Sequence, residues 1–220
     1  MADNKELLSG DQVAAMGLAD WRPLLGVIRA RFMTGDFATG LAFVNAVGQA
    51  AEAANHHPDV DLRYGHVTIT LTSHDVGGKT QRDVDLARQI SEIATELGVS
   101  SSPQDVQRLE LALDTWNMTE IRPFWAAVLG LSAEDDSDEI SDADGDLPTI
   151  WFQEADKSQA ASQRWHLDIT LPPEQAQQRI DAAVAAGGRV VSTERAPSFT
   201  VLADAQGNQV CVCTHLTPGN

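Results

Sequence analysis

Three of the six histidines lie close together in the chain: His56 and His57 are adjacent, and His74 follows after two strand-like runs. An unperturbed imidazole titrates near pH ~6.5, so one ring can donate a proton while another accepts one, an effect worth roughly 10²–10⁴ in rate. Neutral imidazole also binds zinc or copper, and three such rings are the ingredients of a metal site. Adjacent side chains tend to diverge, however, which places His56 and His57 poorly for sharing one ion. Acid–base chemistry is therefore the expected use of the set, with no metal. His66 and His215, each alone, read as structural or exposed.

The elements around these rings must bring them together. Val60, Leu62 and Tyr64 alternate with polar residues, and so do Val67, Ile69 and Leu71, a period-two pattern that predicts two strands. Gly65 between them predicts a tight hairpin. His57 lies eight residues before Gly65 and His74 nine after it, so antiparallel pairing is expected to set them side by side. Before the hairpin, a helix opens at Asp36 with apolar positions Phe37, Leu41, Val44, Gly48 and Ala51 at spacings of three and four. It is expected to stop at His56-His57-Pro58, because a proline disfavours helical geometry in the residue before it. After the hairpin a second helix opens at Thr80, with Asp83 in the capping-box position. Its buried stripe is Val84, Ala87, Ile90, Ala94 and Leu97, and Gly98 ends it. Upstream, residues 9–18 read as a short helix. Val27–Phe32 read as a strand with Ile28, Ala30 and Phe32 on one face.

A chain of 220 residues suffices for two modest domains. The divide is expected at Ser100-Ser-Ser-Pro103, a linker between a domain at 1–99 and another at 104–220. With 15 basic and 32 acidic residues the formal charge is −17. Such a chain repels phosphate backbones and anionic lipid surfaces, so neither nucleic acid nor membrane is expected as a partner. The first ten residues lack the basic and apolar segments of a signal peptide, and no apolar run approaches the roughly 18–20 residues of a membrane span. Cys211 and Cys213, two apart in a strand-like run, share one face about 6–7 Å apart, which is awkward for a disulfide. They read as small buried hydrophobes. A cytoplasmic location is the expectation.

The run Glu52-Ala-Ala-Asn-His-His-Pro58, then Tyr64, Leu71-Thr-Ser-His-Asp75 and Gly78-Lys-Thr-Gln-Arg-Asp83 resembles the signature of the pterin-4a-carbinolamine dehydratases. The likeness spans residues 1–99 and includes Trp21, where that family also tends to carry a tryptophan. It implies loss of the C4a hydroxyl of a 4a-hydroxytetrahydropterin as water, with a proton leaving the ring to give quinonoid dihydropterin. By this resemblance His56 and His74 act as acid and base in an order left open, and His57 binds and orients the pterin. It sets Glu52, Asn55, Pro58, Ser73 and Asp75 around the substrate. Glu52 is placed to hold an imidazole or a pterin nitrogen, Ser73 offers backbone contacts, and the part of Asn55 is open. The resemblance requires no cofactor and no metal, and it carries an expectation of self-association. Some relatives serve as dimerising protein partners, so a binding module without turnover is the alternative.

The second half repeats a pattern. Arg108–Leu113 is a strand and Thr119–Leu129 a helix; His166–Leu171 and the helix from Pro173 to Ala186 follow in the same order. Thr149–Gln153 and Gln209–Thr214 close the two units. This duplicated βαβββ module resembles the glyoxalase-like (vicinal oxygen chelate) fold, and Ala203–Gln209 resembles its penultimate turn. The whole chain is thus expected to be α+β, an antiparallel sheet with helices on one face followed by the duplicated module. Metal-using members of that fold place a histidine early and a glutamate late in each unit. The corresponding residues here are Arg108, Trp151, His166 and Cys211, of which two can ligate, so a non-catalytic domain is expected. Activity residing in this half is the remaining alternative. Trp116, Trp125, Trp151 and Trp165 read as core, or as an apolar pocket for a flat ligand. Glu134–Asp146 holds eight acidic residues and no basic one, which reads as a solvated loop. Asp142, Asp144 and Asp146 alternate as calcium ligands do, without the closing glutamate.

Overall fold

The computed structural model describes residues 5–129, 131–132, 137–142, 145, 147–156, 165–203, 207 and 209–217. Met1–Gln107, with Leu171–Gln175, form one compact unit, and Arg108–Thr170 with Ala176–Gly219 form another.

In the first unit Ser9 caps a short helix, α1 (Gly10–Ala15), through a reciprocal pair of hydrogen bonds with Gln12. The chain continues as β1 (Arg22–Leu24), β2 (Val27–Met33), α2 (Phe37–Ala54), β3 (Asp59–Leu62), β4 (His66–Leu71), α3 (Gln81–Glu96) and β5 (Ser100–Ser101). The strands form an antiparallel sheet in the order β1-β2-β4-β3, with β5 also on β2. Residues 100 and 101, expected within a linker, are therefore part of this sheet. A serine run carries no hydrophobic signal, and its placement rests on backbone bonds that composition does not reveal. Ser102 extends them by donating its N–H to the Arg31 carbonyl at 2.7 Å.

Alternation along β2 works as the sequence implies. Ile28, Ala30 and Phe32 are fully buried and stand opposite Leu71, Ile69 and Val67 of β4. Val84, Ala87 and Ile90 of α3 pack into the same core. Trp21 meets Phe32 edge-on, with ring centroids 5.9 Å apart, and its indole N–H donates to Ser91 Oγ at 3.0 Å.

Helix α2 buries Ala51 as expected, but the rest of its buried stripe is shifted from the expected one. Gly40, Phe43, Val47 and Ala51 face inward, while Phe37 and Leu41 are 48% and 46% exposed. Both stripes are apolar, so periodicity alone does not choose between them. Gly40 does: a Cβ there would stand 2.7 Å from Leu62 Cδ1 and 3.3 Å from Thr34 Oγ1, so only this face lets the helix approach so closely.

The second unit runs β6 (Arg108–Thr115), α4 (Met118–Leu129), β7 (Glu139–Ile140), β8 (Ile150–Glu154), then β9 (Trp165–Thr170), α5 (Pro173–Ala185), β10 (Arg189–Ser192), β11 (Phe199–Ala203) and β12 (Gln209–Cys213). One mixed sheet holds them in the order β10-β11-β12-β9-β6-β8-β7. At its centre β6 and β9 are antiparallel, and each has the last strand of its own repeat alongside it in parallel, β8 and β12. This is the duplicated architecture read from the sequence. The second repeat shows three strands after its helix; the first shows two among the described residues.

Parts of the acidic stretch (Asp144 and Asp146 among them) and of the 203–209 turn lie outside the described residues, as do the calcium and penultimate-turn readings that depend on them. Leu113, Ile140, Ile150 and Phe152 form a core with Trp125 and Trp165, whose rings meet edge-on at 5.0 Å. Trp116, by contrast, is 45% exposed. Among the described residues no helix is long and apolar enough to cross a membrane.

Candidate active site

The chain leaves α2 through Asn55, which adopts the left-handed conformation (φ 47°, ψ 41°) and donates its N–H back to the last turn. Asparagine tolerates this geometry better than most residues, which gives Asn55 a structural part as the helix's end. The His56 N–H bonds the Ala51 carbonyl at 3.1 Å, completing the turn. The result sends consecutive imidazoles apart. His56 is buried at 8% exposure, while the His57 side chain is 55% exposed. Pro58 is half-buried and leads directly into β3.

His56 is fixed by Asp83. Its Nε2 lies 2.8 Å from Asp83 Oδ1, and the aspartate is wholly buried. Asp83 Oδ2 accepts from the Thr80 N–H at 2.7 Å, from Ser73 Oγ at 2.8 Å and from Thr80 Oγ1 at 3.2 Å. A carboxylate so supplied with donors accepts from the imidazole as well, so the hydrogen shared with His56 lies on Nε2, and in the neutral ring Nδ1 is then the acceptor. The sequence places Asp83 in the capping box of α3, and both bonds of that box are present. Its second service, to His56, is the feature that sequence reasoning missed. The Gly78–Asp83 motif contained the residue but gave it no partner.

Glu52 Oε1 lies 3.1 Å from Nε2 of His57, not of His56 one turn after it. An open depression lined by Val44, Asn45, Gly48, Gln49 and Glu52 runs along the outside of α2 beside this pair. His74 opens a short 3-10 turn, His74–Val76, and is exposed.

The hairpin does not align His57 with His74. Arg63 donates its N–H to the His66 carbonyl, so Tyr64 and Gly65 form the turn, and the last ladder pair is Asp59 with Thr70. Extended past its last pair, that register sets His56 opposite Ser73 and His57 opposite Thr72. Tyr64, counted in the strand pattern, is 74% exposed in the turn, which moves the turn's centre half a residue earlier. His56 and Ser73 accordingly meet on one carboxylate, while His74 lies just beyond on the turn.

Ser73 is 1% exposed and its backbone is engaged with Gly78 in both directions, at 2.8 and 3.4 Å, instead of presenting free groups to a ligand. Asp75 is paired with Lys5 at 3.1 Å and Arg82 at 2.6 Å. The Arg82 hydrogen bond, followed by that of Lys5, holds its carboxyl down at about 2.

Comparison with known proteins gives a pterin-dehydratase-like unit followed in the chain by a glyoxalase-like one. The family model described as pterin 4 alpha carbinolamine dehydratase matches residues 6–93, and that of a glyoxalase-like domain matches residues 110–213. A protein of Nocardia farcinica, named as a candidate pterin-4-alpha-carbinolamine dehydratase, is 46% identical over 91 residues, covering 40% of this chain and 96% of the relative. A Roseiflexus protein named in the same way is 50% identical over 76 residues, covering 34% of this chain and 82% of its own length. A solved transcriptional coactivator/pterin dehydratase from Brucella melitensis is 29% identical with a TM-score of 0.39, covering 40% of this chain and 99% of that one. The chain belongs, through its first unit, to the pterin-4-alpha-carbinolamine dehydratase family, and it carries a glyoxalase-like domain after it.

Proposed function

We propose that the first unit dehydrates a 4a-hydroxytetrahydropterin to the quinonoid dihydropterin, using imidazoles and no metal. The observation that carries this reading is the buried pair of His56 and Asp83, with His57 and His74 exposed nearby in the chain's own path. The C4a hydroxyl takes up a proton and departs as water, and the ring gives up one proton, so the reaction is balanced without a redox partner. His56, with its Nε2 proton committed to Asp83, keeps Nδ1 as an acceptor and is the base. His74, open to solvent on its turn, is the acid. His57 orients the pterin with Glu52 behind it. Positioned acid–base groups of this kind supply roughly 10²–10⁴ in rate.

The test is stopped-flow dehydration of 4a-hydroxytetrahydropterin by the full chain. Turnover well above buffer, lost in His56→Ala and His74→Ala, supports the reading. A folded wild-type protein that gives no acceleration refutes it and leaves a binding module.

A further inference from the structure

The second unit carries a cluster on the sheet face opposite the Leu113 and Phe152 core. Cys211 of β12 is registered directly beside Asp168 of β9, and His166 stands two residues along β9 on the same side. We propose that His166 Nδ1, Asp168 Oδ1 and Cys211 Sγ together bind one divalent metal ion of the zinc class, leaving one coordination position for an exchangeable ligand.

The donor atoms already converge. His166 Nδ1 lies 3.0 Å from Asp168 Oδ1 and 4.0 Å from Cys211 Sγ, and all three atoms fall within 4.8 Å of one another. A tetrahedral ion with zinc-like bond lengths sets such donors about 3.4–3.6 Å apart, so movements of roughly an ångström complete the site. The far atom of each of two ligands is already tied. His166 Nε2 meets Gln153 Oε1 at 3.0 Å, and Trp151 donates its indole N–H to Asp168 Oδ2 at 3.1 Å. Outer contacts of this kind turn the remaining nitrogen and oxygen toward the ion and hold them there. Trp151 also meets the His166 ring edge-on at 6.1 Å.

Two of the donors, His166 and Cys211, stand at positions where chelating members of this fold carry ligands, while Arg108 and Trp151 at the other two offer none. Asp168, outside those positions, supplies the third donor, and the site rests on two neighbouring strands of the second repeat. The Asp168 hydrogen bond raises His166, and burial, followed by the Asp168 charge, raises the Cys211 thiol. A cation reverses the second effect, because a coordinating thiol loses its proton.

The test strips the full chain with a chelator and titrates it with cobalt(II) alone. The expected result is one equivalent bound, with visible bands of a tetrahedral site and a thiolate-to-cobalt charge-transfer band, all displaced by zinc(II). Cys211→Ser removes the charge-transfer band and Cys213→Ser keeps it. Trp151→Phe, which removes the outer N–H and part of the ring while keeping an aromatic side chain, keeps the band and weakens binding about 10–100-fold. A folded wild-type chain that binds no cobalt overturns the proposal, and so does a charge-transfer band that survives Cys211→Ser. Pterin turnover by the first unit plays no part in this readout, so failure here leaves the dehydratase reading untouched.

Discussion

Replacing Asp83 separates its two services, to the helix and to His56. Asp83→Ala removes the acceptor for the His56 Nε2–H, the Ser73 hydroxyl and the Thr80 N–H, all buried. Each stranded buried donor costs about 1–3 kcal/mol, and partial relaxation brings the total for the three to roughly 3–5 kcal/mol. That is a large share of a stability that for most domains is about 5–15 kcal/mol. Asp83→Asn is the finer probe. Its amide keeps one oxygen, which stays with the Thr80 N–H because that donor cannot rotate. The amide NH₂ then faces His56 and forces the imidazole to accept at Nε2, moving the ring proton to Nδ1. The expected cost is about 1–2 kcal/mol in the urea transition of the first unit. Turnover is expected to fall by roughly 10²–10⁴, because the lone pair assigned to the base now points at the amide. Stopped-flow kinetics beside urea melts make the comparison, and histidine ¹⁵N spectra report the tautomer. If Asp83→Asn turns over within about threefold of wild type while His56→Ala is inactive, Asp83 does not position the base and the assignment fails.

Four further outcomes follow from particular contacts. His57→Ala breaks an exposed pair with Glu52, so stability should change by no more than about 1 kcal/mol while KM rises, as urea melts and steady-state kinetics will show. Asp75 titrates in the folded protein at about 2, below its unfolded value of about 3.9. Its contribution is therefore full above the unfolded value and fades as pH falls from about 4 toward 2, and carboxyl NMR should find this midpoint rising in Arg82→Gln. Gly188→Ala aims a Cβ at two backbone carbonyls, 2.9 Å from Ala183 and 3.2 Å from Ala203, and should cost the second unit about 1–3 kcal/mol in thermal melts. Trp21→Ala empties a fully enclosed site against Phe32 and should destabilise the first unit by about 3–5 kcal/mol, read from denaturant midpoints.

The long strands and helices of both units were legible because their signals are local, whereas the short β1 and β5 were not. Ile28, Ala30 and Phe32 alternate cleanly, and Thr80 with Asp83 announces a helix start whatever lies around it. The duplicated order of the second half was visible for the same reason. What the sequence withheld depended on contacts between distant segments. Helix α2 offers two apolar stripes, and only the close approach at Gly40 selects the one carrying Phe43. Asp83 shows as a cap locally, while its bond to His56 spans 27 positions. Asp168 stands outside the four positions of the chelating pattern, so that pattern does not point to it. The alternation His166-x-Asp168 beside a strand bearing Cys211 was the available signal.

The most direct measurement pairs turnover with stability in His74→Ala. His74 is exposed on its turn, so the substitution should leave the unfolding midpoint where it is. Dehydration of 4a-hydroxytetrahydropterin should nevertheless slow by roughly 10²-fold or more. An unchanged rate in this folded variant would contradict the acid–base account of the first unit.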